Sequence, residues 1–375
     1  MKIAVNTRLL LPHNLEGIGY FIREVFTRMA VNHPEHQFFF IFDRPADPSL
    51  SLPSNIKVIE AGPPARHPVL WKIWFDLVIP GKLKALKADV FVSPDGFCSL
   101  HTRVPQCMVV HDLGFLHQPT AYKSSHLKYL RYYAPRFLKK AATIATVSEF
   151  SRNDILSNFP NTKEVKVVYS AVKKEFQPTA YDVQDQMREK YTGGKQFFIY
   201  VGALQPRKNL VNLLKAFSIF KKRLKSEMKI VFCGRLAWKN NEFLELLKTY
   251  KYREDVILTG YLPEKELVAL IGSAYALVYP SFFEGFGVPI LEAMHCGVPA
   301  LTSANTSMQE IGEDAALYFD AADPKDMGEK LMMIYKDETL RSRLIEKGRT
   351  IKEKYSWQLT SELVWEAIVA AAAKK

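Results

Sequence analysis

Two glutamates, Glu284 and Glu292, frame a stretch of this 375-residue sequence whose spacing suits the binding of a phosphorylated ligand. Gly285 and Gly287 lie between them, and the pattern predicts a helix that begins just before Pro289. Proline is tolerated in the first turn of a helix, because the amide that it lacks would have no partner there. Such a helix N-terminus offers backbone N–H groups and the positive end of a dipole, and the glycines let a bulky anion approach the main chain. The sequence therefore predicts a phosphate-binding loop with a carboxylate at each end.

The two carboxylates add the ability to hold hydroxyl groups. Glu284 precedes the predicted helix and Glu292 lies about one turn inside it, so both can face one crevice while they are too far apart to share a proton. A nucleoside diphosphate sugar matches this arrangement, with its ribose at Glu292 and its sugar at Glu284. Glutamates that merely complement the dipole of a helix N-terminus would give the same local pattern.

The flanking sequence favours the first interpretation, because it resembles the retaining family 4 glycosyltransferases, also described as glycosyl transferases group 1. Their signature of two glutamates separated by seven residues, with Gly-Phe-Gly after the first, is matched by residues 284–292. Residues 200–210 look like the family's phosphate-binding segment, and residues 110–113 and 146–151 are similar to two further recurrent stretches. The resemblance covers nearly the whole chain. It implies the GT-B fold, in which two Rossmann-like domains with doubly wound parallel sheets face a cleft.

The resemblance also implies roles for individual residues. Catalytic roles are expected for His111, Arg207, Lys208 and Glu284. Contacts with the nucleotide-sugar donor are expected for Gly17, Gly19, Gly202, Leu262, Gly285, Phe286, Gly287, Val288 and Glu292. Selectivity for the base is expected in loops near residues 235–238 and 260–262.

Arg207 and Lys208 are adjacent cations before a predicted helix. Cations at a helix N-terminus are unfavourable with the dipole unless an anion lies between them, so a diphosphate is an economical explanation. The alternative is two solvated surface cations. Many family members carry a further arginine where this sequence has Ala203, so neutralisation of the leaving diphosphate is expected to depend on Arg207 and Lys208 alone.

Gly17 and Gly19 precede another predicted helix. The third glycine of a dinucleotide-binding fingerprint is replaced by Ile22, and the pair lies too far from the first strand, so that motif is excluded. An anion-binding loop that meets the donor's β-phosphate fits the family, and a flexible turn before a helix remains the alternative.

His111 ends a predicted buried strand. In the family, the matching histidine contacts the transferred sugar near its reacting carbon, and its backbone carbonyl steadies developing positive charge. A histidine beside Asp112 can also be a hydrogen-bonded structural residue, and that alternative stays open on the sequence alone. Ser148 is expected to be a helix N-cap.

The secondary-structure pattern alternates between short β-rich runs and helices, which is typical of parallel doubly wound sheets. Strands are predicted at residues 2–7, 37–42, 56–59, 90–92, 106–111, 143–147 and 165–168, and again at 197–201, 229–233, 256–259, 276–279 and 299–302. Helices are predicted at 18–32, 69–87, 124–141, 149–158, 209–225, 242–250, 264–272, 288–297 and 357–373. We predict an acceptor-side domain over 1–178 and a nucleotide-sugar-binding domain over 179–356, with residues 357–375 crossing back onto the first. Ligands should bind in the cleft at the carboxyl edges of the sheets.

Composition limits the other possibilities. Apolar residues make up 48% of the chain, which is ample for two cores. The four cysteines, Cys98, Cys107, Cys233 and Cys296, lack metal-type spacing and are expected to be buried thiols of a reduced cytoplasmic protein. The first strand is too short to be a signal peptide, and the longest apolar stretch, 69–80, contains Lys72 and Asp76.

The net charge of +12 is uneven, because residues 1–178 carry 23 Lys and Arg against 14 Asp and Glu. Residues 121–140 contribute six cations and no acid, interleaved with five aromatic residues. A stretch of this kind suits peripheral contact with an anionic membrane or a phosphate-bearing lipid acceptor. Nucleic acid is a rival that nothing else in the sequence supports, and a solvated helix face is the plain alternative.

The resulting hypothesis is a retaining, metal-independent hexosyltransferase, with mannosyl among the candidate groups. It would use a nucleoside diphosphate sugar as donor substrate, need no other cofactor, and act on a lipid-linked or saccharide acceptor in bacterial surface polysaccharide synthesis. A sugar-nucleotide epimerase or phosphorylase of the same fold, and a non-catalytic nucleotide-sugar-binding protein, remain as alternatives.

Overall fold

The computed structural model of the protein describes residues 1–11, 17–236 and 241–374 and divides the chain into two units. Unit 1 comprises Met1–Ser170 and Ser356–Lys375, and unit 2 comprises Ala171–Tyr355. The sequence pattern placed the first boundary after residue 178. Residues 171–178 belong instead to unit 2, where Lys173 forms an ion pair with Glu264 and the carbonyl of Thr179 accepts a hydrogen bond from Gln184.

The described part of unit 1 contains a seven-stranded parallel sheet with helices between its strands. Its strands are β1 (Lys2–Asn6), β2 (Gln37–Phe42), β3 (Ile56–Glu60), β4 (Val90–Ser93), β5 (Gln106–Val110), β6 (Thr143–Thr146) and β7 (Val165–Val167). Its helices before residue 170 are α1 (Gly17–Asn32), α2 (Pro68–Ile73), α3 (Ile79–Leu86), α4 (Gly114–His117), α5 (Ser124–Lys140) and α6 (Glu149–Asn158). The strand order is β3-β2-β1-β4-β5-β6-β7, so the direction of winding reverses between β1 and β4. Such a reversal opens a crevice at the carboxyl ends of the strands.

The helix predicted over residues 69–87 is present over residues 68–86, but it is not a uniform α-helix. A π-helical segment, Trp74–Val78, separates α2 from α3. Pro80 lies in the first turn of α3, two residues after this segment, and has no amide to donate into the preceding turn. The segment buries Trp74 and Phe75 in the unit 1 core.

The described part of unit 2 repeats the architecture with a six-stranded parallel sheet. Its strands are β8 (Phe197–Val201), β9 (Lys229–Cys233), β10 (Val256–Gly260), β11 (Ala276–Tyr279), β12 (Ala300–Ser303) and β13 (Ala316–Phe319). Its helices are α7 (Tyr181–Thr192), α8 (Leu210–Leu224), α9 (Asn241–Lys248), α10 (Glu264–Gly272), α11 (Val288–His295), α12 (Ser307–Gly312), α13 (Pro324–Lys336) and α14 (Glu338–Ile351). The order β10-β9-β8-β11-β12-β13 reverses between β8 and β11, which makes their carboxyl ends the expected ligand-binding edge.

The last helix, α15 (Trp357–Ala372), lies on unit 1. Ser361 donates a hydrogen bond to the carbonyl of Val25 in α1 (3.0 Å), and Thr143 of β6 donates to the carbonyl of Ala367 (2.9 Å). Trp357 packs against Tyr20 with ring centroids 5.7 Å apart. Helix α15 is therefore part of the unit 1 core.

Candidate active site

The ends of β8 and β11 carry two loops that hydrogen-bond to each other in unit 2. Pro206–Lys208 forms one 3₁₀ turn after β8, and the amide of Phe282, in the loop after β11, donates to the carbonyl of Arg207 (3.0 Å). The guanidinium of Arg207 donates back to the carbonyl of Phe283 (2.8 Å). The amide side chain of Asn209, buried at the start of α8, donates to the carbonyl of Pro280 (3.0 Å). The order of the strands therefore brings the cations and the first glutamate of the motif to one place.

Glu284 lies at the centre of this arrangement. Its Oε1 accepts hydrogen bonds from the ammonium group of Lys208 (2.5 Å) and from the hydroxyl of Ser281, and its Oε2 lies 3.7 Å from Arg207. The side chains of Glu284 and Lys208 are only 10% and 9% exposed. Lys208 also donates to the hydroxyl of Tyr279 (2.6 Å). The carboxylate is thus fixed by three neighbouring side chains.

The charge of Glu284 is stabilised by its neighbours. Burial alone would raise the pKa of this carboxyl, but the charges of Arg207 and Lys208 and the hydrogen bonds from Lys208 and Ser281 outweigh it and lower the pKa to about 2. Glu284 is therefore ionised throughout the physiological range and acts as a hydrogen-bond acceptor.

The two cations differ from solvated surface residues, which was the alternative left open by the sequence. Lys208 is buried, and both cations lie in the 3₁₀ turn before α8 rather than inside its first turn. The anion beside them in the protein is Glu284, so a diphosphate is not needed to explain their proximity. The argument from the helix dipole therefore does not by itself require a ligand.

Residues 305–307, which follow β12, also hydrogen-bond to the backbone around the Glu284–Gly287 loop. The sequence analysis did not predict this contact. The hydroxyl of Ser307 donates to the carbonyls of Glu284 and Phe286, both at 2.9 Å. The side chain of Asn305 donates to the carbonyl of Phe282 (3.1 Å), and Thr306 Oγ1 accepts from the amide of Glu284 (3.4 Å). The mostly polar run 303–307, directly after the strand predicted at 299–302, was the available signal.

The second half of the motif begins a helix, as the sequence predicts. Gly287 is the N-cap of α11 with φ of +105°, a conformation that favours glycine, and Val288 is the first helical residue. Gly285 and Phe286 are buried in the loop before it, and Phe286 packs edge-on against Tyr355. The N–H of Val288 is a group that an anion could bind, whereas Pro289 has no N–H and that of Ile290 donates to the carbonyl of Gly287 (3.0 Å).

Glu292 has a different environment from Glu284. It is half-buried in α11, and burial raises its pKa to about 7, with a smaller lowering by the charge of Lys173 and a raising by that of Glu264. The two glutamates of the motif are therefore electrostatically unlike, one firmly ionised and the other titrating near neutrality. A carboxyl of this second kind can donate as well as accept hydrogen bonds.

Two further predicted donor residues lie in strand-end loops of unit 2. Gly202, after β8, has φ of +143°, and a Cβ there would lie 2.9 Å from the hydroxyl of Tyr200. The next residue, Ala203, supplies no cation. Leu262 is half-buried between β10 and α10. Of the loop at residues 235–238, the last two lie outside the described residues.

In unit 1, His111 follows β5. Its Nε2 lies 2.9 Å from the carbonyl oxygen of Pro94, and the ring of Phe21 packs against it edge-on at 5.2 Å. Burial lowers the pKa of His111, so the ring is neutral at physiological pH. Asp112 accepts a hydrogen bond from the amide of Gly114 (2.8 Å). The carbonyl of His111 accepts one from Ser151 (3.3 Å).

Ser148 caps α6 by accepting from the amide of Ser151 (3.0 Å), which confirms the predicted N-cap.

Gly17 and Gly19 are the first and third residues of α1, rather than residues of a loop that precedes it. Gly17 is exposed and Gly19 is buried. The first amides of a helix have no intrahelical partner, so an anion-binding role for this turn stays compatible with the structure. Residues 12–16, which lead into α1, lie outside the described residues.

A cavity of about 360 Å³ lies in unit 1 beside His111. Its walls are mainly aromatic and aliphatic, and they include Trp71, Phe97 and Tyr122. The polar groups at its surface include His126 and the buried ion pair of Arg8 and Asp95. Cavities of this size with a few polar groups are typical ligand sites.

Comparison with known proteins decides the family. The model of Glycosyltransferase Family 4 matches residues 17–176, and that of Glycosyl transferases group 1 matches residues 183–351. The chain belongs to these glycosyltransferases. O-antigen chain mannosyltransferase B of Escherichia coli is 28% identical over 250 residues, which is 66% of each chain, so the match spans slightly less than two thirds of that relative.

Solved structures show that this glycosyltransferase has the GT-B fold, as the sequence predicts. Sucrose-phosphate synthase from Thermosynechococcus elongatus superimposes with a TM-score of 0.82 at 16% identity and full coverage of both chains. Anabaena Alr3699/HepE in complex with UDP and glucose gives a TM-score of 0.76 at 14% identity, over 98% of this chain and 99% of the other.

Three further features of the glycosyltransferase concern the described residues only. None of their helices is long and apolar enough to cross a membrane. They contain no group of three or more His, Cys, Asp or Glu side chains placed to hold a metal ion. Cys98, Cys107, Cys233 and Cys296 are buried and free, as predicted.

Proposed function

We propose that this glycosyltransferase moves a hexosyl group from a nucleoside diphosphate sugar to a saccharide or lipid-linked saccharide, with retention of configuration and without a bound metal. The observation that carries the proposal is the buried, ionised Glu284 held by Lys208 and Arg207 at the switch point of unit 2. A fixed carboxylate beside two cations and a helix N-terminus supplies separate partners for the hydroxyls and for the diphosphate of one donor.

The transfer step needs charge stabilisation at both ends of the bond that breaks. The bond between the anomeric carbon and the β-phosphate oxygen breaks, and the nucleoside diphosphate leaves with the electron pair. The acceptor oxygen bonds to the anomeric carbon while its proton passes to the departing diphosphate. Arg207, Lys208 and the N-terminus of α11 would stabilise the negative charge on the leaving group, and Glu284 would hold hydroxyls of the sugar as positive charge develops.

The other residues for which the family resemblance implies a role take supporting parts in this proposal. Glu292 would bind the ribose, and Gly202, Gly285, Phe286, Gly287, Val288 and Leu262 would line the donor. His111 would contact the transferred sugar, and the first turn of α1, with Gly17 and Gly19, would meet the β-phosphate. The similarity to a structure that holds UDP and glucose supports a nucleotide sugar as donor.

The proposed acceptor is a growing surface polysaccharide or its lipid-linked precursor. The support is the similarity to O-antigen chain mannosyltransferase B, together with the aromatic cavity beside His111. Aromatic walls with a few polar groups suit the apolar faces and hydroxyls of sugar rings. Mannose is the first sugar to test, because that relative is a mannosyltransferase.

We also propose peripheral contact with an anionic membrane through the basic face of α5, defined by Lys123, Lys128, Arg131, Arg136, Lys139 and Lys140. All six cations are exposed, and Tyr132 between them is 54% exposed with Arg136 stacked on its ring. Cations beside an exposed aromatic ring suit the interface of an anionic bilayer.

The first experiment is a thermal-shift screen of nucleoside diphosphates and their sugars with the full chain. A ligand at about 100 times its dissociation constant stabilises the folded protein by about 2.7 kcal/mol. The best donor is then incubated with mannose-terminated acceptors in the presence of EDTA, and the anomeric configuration of the product is read by NMR.

A product of retained configuration that forms in EDTA supports the proposal. Altered donor without an acceptor would indicate an epimerase, a sugar phosphate formed from inorganic phosphate would indicate a phosphorylase, and binding without turnover would indicate a non-catalytic protein. The Arg207→Ala/Lys208→Ala double variant should lose nearly all transfer, and a tenth or more of wild-type turnover would refute the assigned role of these cations.

A further inference from the structure

The turn that follows β4 in unit 1 is fixed by an unusual set of buried polar contacts. The carboxylate of Asp95 accepts hydrogen bonds from Arg8 Nε (2.6 Å), Asn6 Nδ2 (2.9 Å) and Ser93 Oγ (3.0 Å). The side chains of Arg8 and Asp95 are 6% and 2% exposed. A buried carboxylate with three donors is firmly held, because each of its bonds is hard to replace away from water.

Arg8 holds the same turn at a second point. Its guanidinium stacks over the ring of Phe97 at 4.6 Å and donates to the carbonyl of Ala65 (3.0 Å). Asn6 and Arg8 come from the carboxyl end of β1, whereas the turn belongs to the end of β4. The contacts therefore bridge the switch point of the unit 1 sheet.

The residue between Ser93 and Asp95 connects this network with His111. The carbonyl oxygen of Pro94 lies 2.9 Å from His111 Nε2. A carbonyl oxygen can only accept a hydrogen bond, so Nε2 must carry the ring proton. In a neutral ring Nδ1 is then the acceptor.

We propose that Asp95 is a positioning residue that acts through the Pro94 carbonyl. By fixing the turn, it holds His111 as the Nε2-protonated tautomer and presents Nδ1 as an acceptor for a hydroxyl of the transferred sugar. The tautomer follows from the contact between His111 and Pro94, both in unit 1. Only the hydrogen bond between Nδ1 and a sugar hydroxyl rests on the proposed function.

The test reads the tautomer directly by ¹⁵N NMR of the full chain labelled at histidine, with the His111 signals identified by their loss in His111→Gln. Wild type should show a proton-bearing Nε2 and an unprotonated Nδ1. Asp95→Asn should give signals averaged between the two tautomers. Because that variant leaves Arg8 as an unpaired buried charge, the double variant Arg8→Gln/Asp95→Asn provides a second, charge-neutral test.

Turnover is measured on the same proteins. The Asp95 variants should lower kcat by about 10- to 100-fold, by analogy with the loss of a group that orients a metal-binding histidine, and leave the donor KM within about twofold. Asp89→Asn is the matched control, because Asp89 lies at the opposite end of β4 and accepts from the amide of Lys2. It should change neither the tautomer nor kcat.

Two results would overturn the proposal. One is a wild-type His111 with its proton on Nδ1, a result that does not depend on whether the Asp95 variants fold. The other is a folded Asp95 variant that keeps both the tautomer and kcat of wild type. If the tautomer behaves as expected but His111→Gln transfers sugar normally, the positioning by Asp95 stands and the proposed role of His111 in transfer fails.

Discussion

The ammonium nitrogen of Lys208 lies 2.5 Å from Oε1 of Glu284, and both side chains are about nine-tenths buried. A charge pair of this kind contributes less to net stability than its short distance suggests, because both ions lost their hydration. Removal of either partner is nevertheless costly, since it leaves the other as an uncompensated charge in the protein interior.

Lys208→Ala should therefore lower the free energy of unfolding by about 3–5 kcal/mol. Urea denaturation at pH 7 measures the change. Lys215→Ala is the matched control, because Lys215 is exposed on α8 in the same unit, and it should stay within about 0.5 kcal/mol of wild type. Equal urea midpoints for the two variants would contradict a stabilising contact between Lys208 and Glu284.

Acid should selectively remove the contribution of Glu284. Its pKa in the folded protein is about 2, below the ordinary value of 4.5, so its stabilising effect is fully present above about pH 4.5 and is lost as the pH falls towards 2. The difference in unfolding free energy between wild type and Glu284→Gln should be largest near pH 7 and shrink by on the order of 3 kcal/mol by pH 2. A difference that stays constant between pH 7 and pH 3 would argue against a depressed pKa.

The two glutamates of the motif should have separable effects on catalysis. Glu292→Gln should chiefly weaken the binding of the nucleoside diphosphate, and Glu284→Gln should chiefly lower kcat, because the first is proposed to meet the ribose and the second the reacting sugar. Each lost hydrogen bond to a charged group corresponds to about 1.5–3 kcal/mol. Calorimetry measures the affinity for the nucleoside diphosphate, and steady-state kinetics measure kcat. If Glu284→Gln changed both by less than twofold, Glu284 would not be a donor-site residue.

Ser307 should matter for turnover through the backbone that it holds. Ser307→Ala leaves the buried carbonyls of Glu284 and Phe286 without this donor, which should cost about 1–3 kcal/mol and lower kcat as the loop shifts. Ser273→Ala removes a comparably buried hydroxyl, which donates to Ala269 in α10, and should lower stability without changing kcat. If both variants lost stability but neither lost turnover, Ser307 would be purely structural.

The basic face of α5 should bind anionic vesicles. Changing Lys128, Arg131, Lys139 and Lys140 to glutamine should abolish co-sedimentation with such vesicles, because each cation near the surface contributes about 1 kcal/mol. Binding by wild type should weaken as salt rises, and donor affinity should be unchanged. The control changes Lys215, Lys222, Arg223 and Lys225 of unit 2, which are also exposed, and should retain binding. Equal sedimentation of the two quadruple variants would show that the cations of α5 do not bind the membrane and only form a solvated helix face.

Strand positions were predictable from the sequence because each strand is a short apolar run between turn residues. All the predicted strands lie within one residue of the observed ones at either end. Strand β13 was not predicted, although its four residues, Ala316–Phe319, also form a short apolar run. Helix α7 was not predicted, because Thr192 is its only buried residue and its sequence therefore lacks an apolar face.

The candidate site was only partly predictable. The motif residues could be named because their types and spacing are unusual, and Gly287 was expected before a helix. The pairing of Lys208 with Glu284 depends on β8 and β11 being neighbours in the sheet, although 76 residues separate the two side chains in the chain. The hydrogen bonds from Asn209 and Ser307 likewise link strand ends that are distant in sequence, and no local pattern encodes them.

Helix α15 has a consequence for how the protein is made. The strands of unit 1 are synthesised first, but α15, which packs on α1 and β6, is translated only after all of unit 2. Unit 2 is one continuous segment and can fold as it emerges from the ribosome, whereas unit 1 must wait with the surface for α15 uncovered. A nascent chain that stalls before residue 357 would therefore expose an apolar face that chaperones bind.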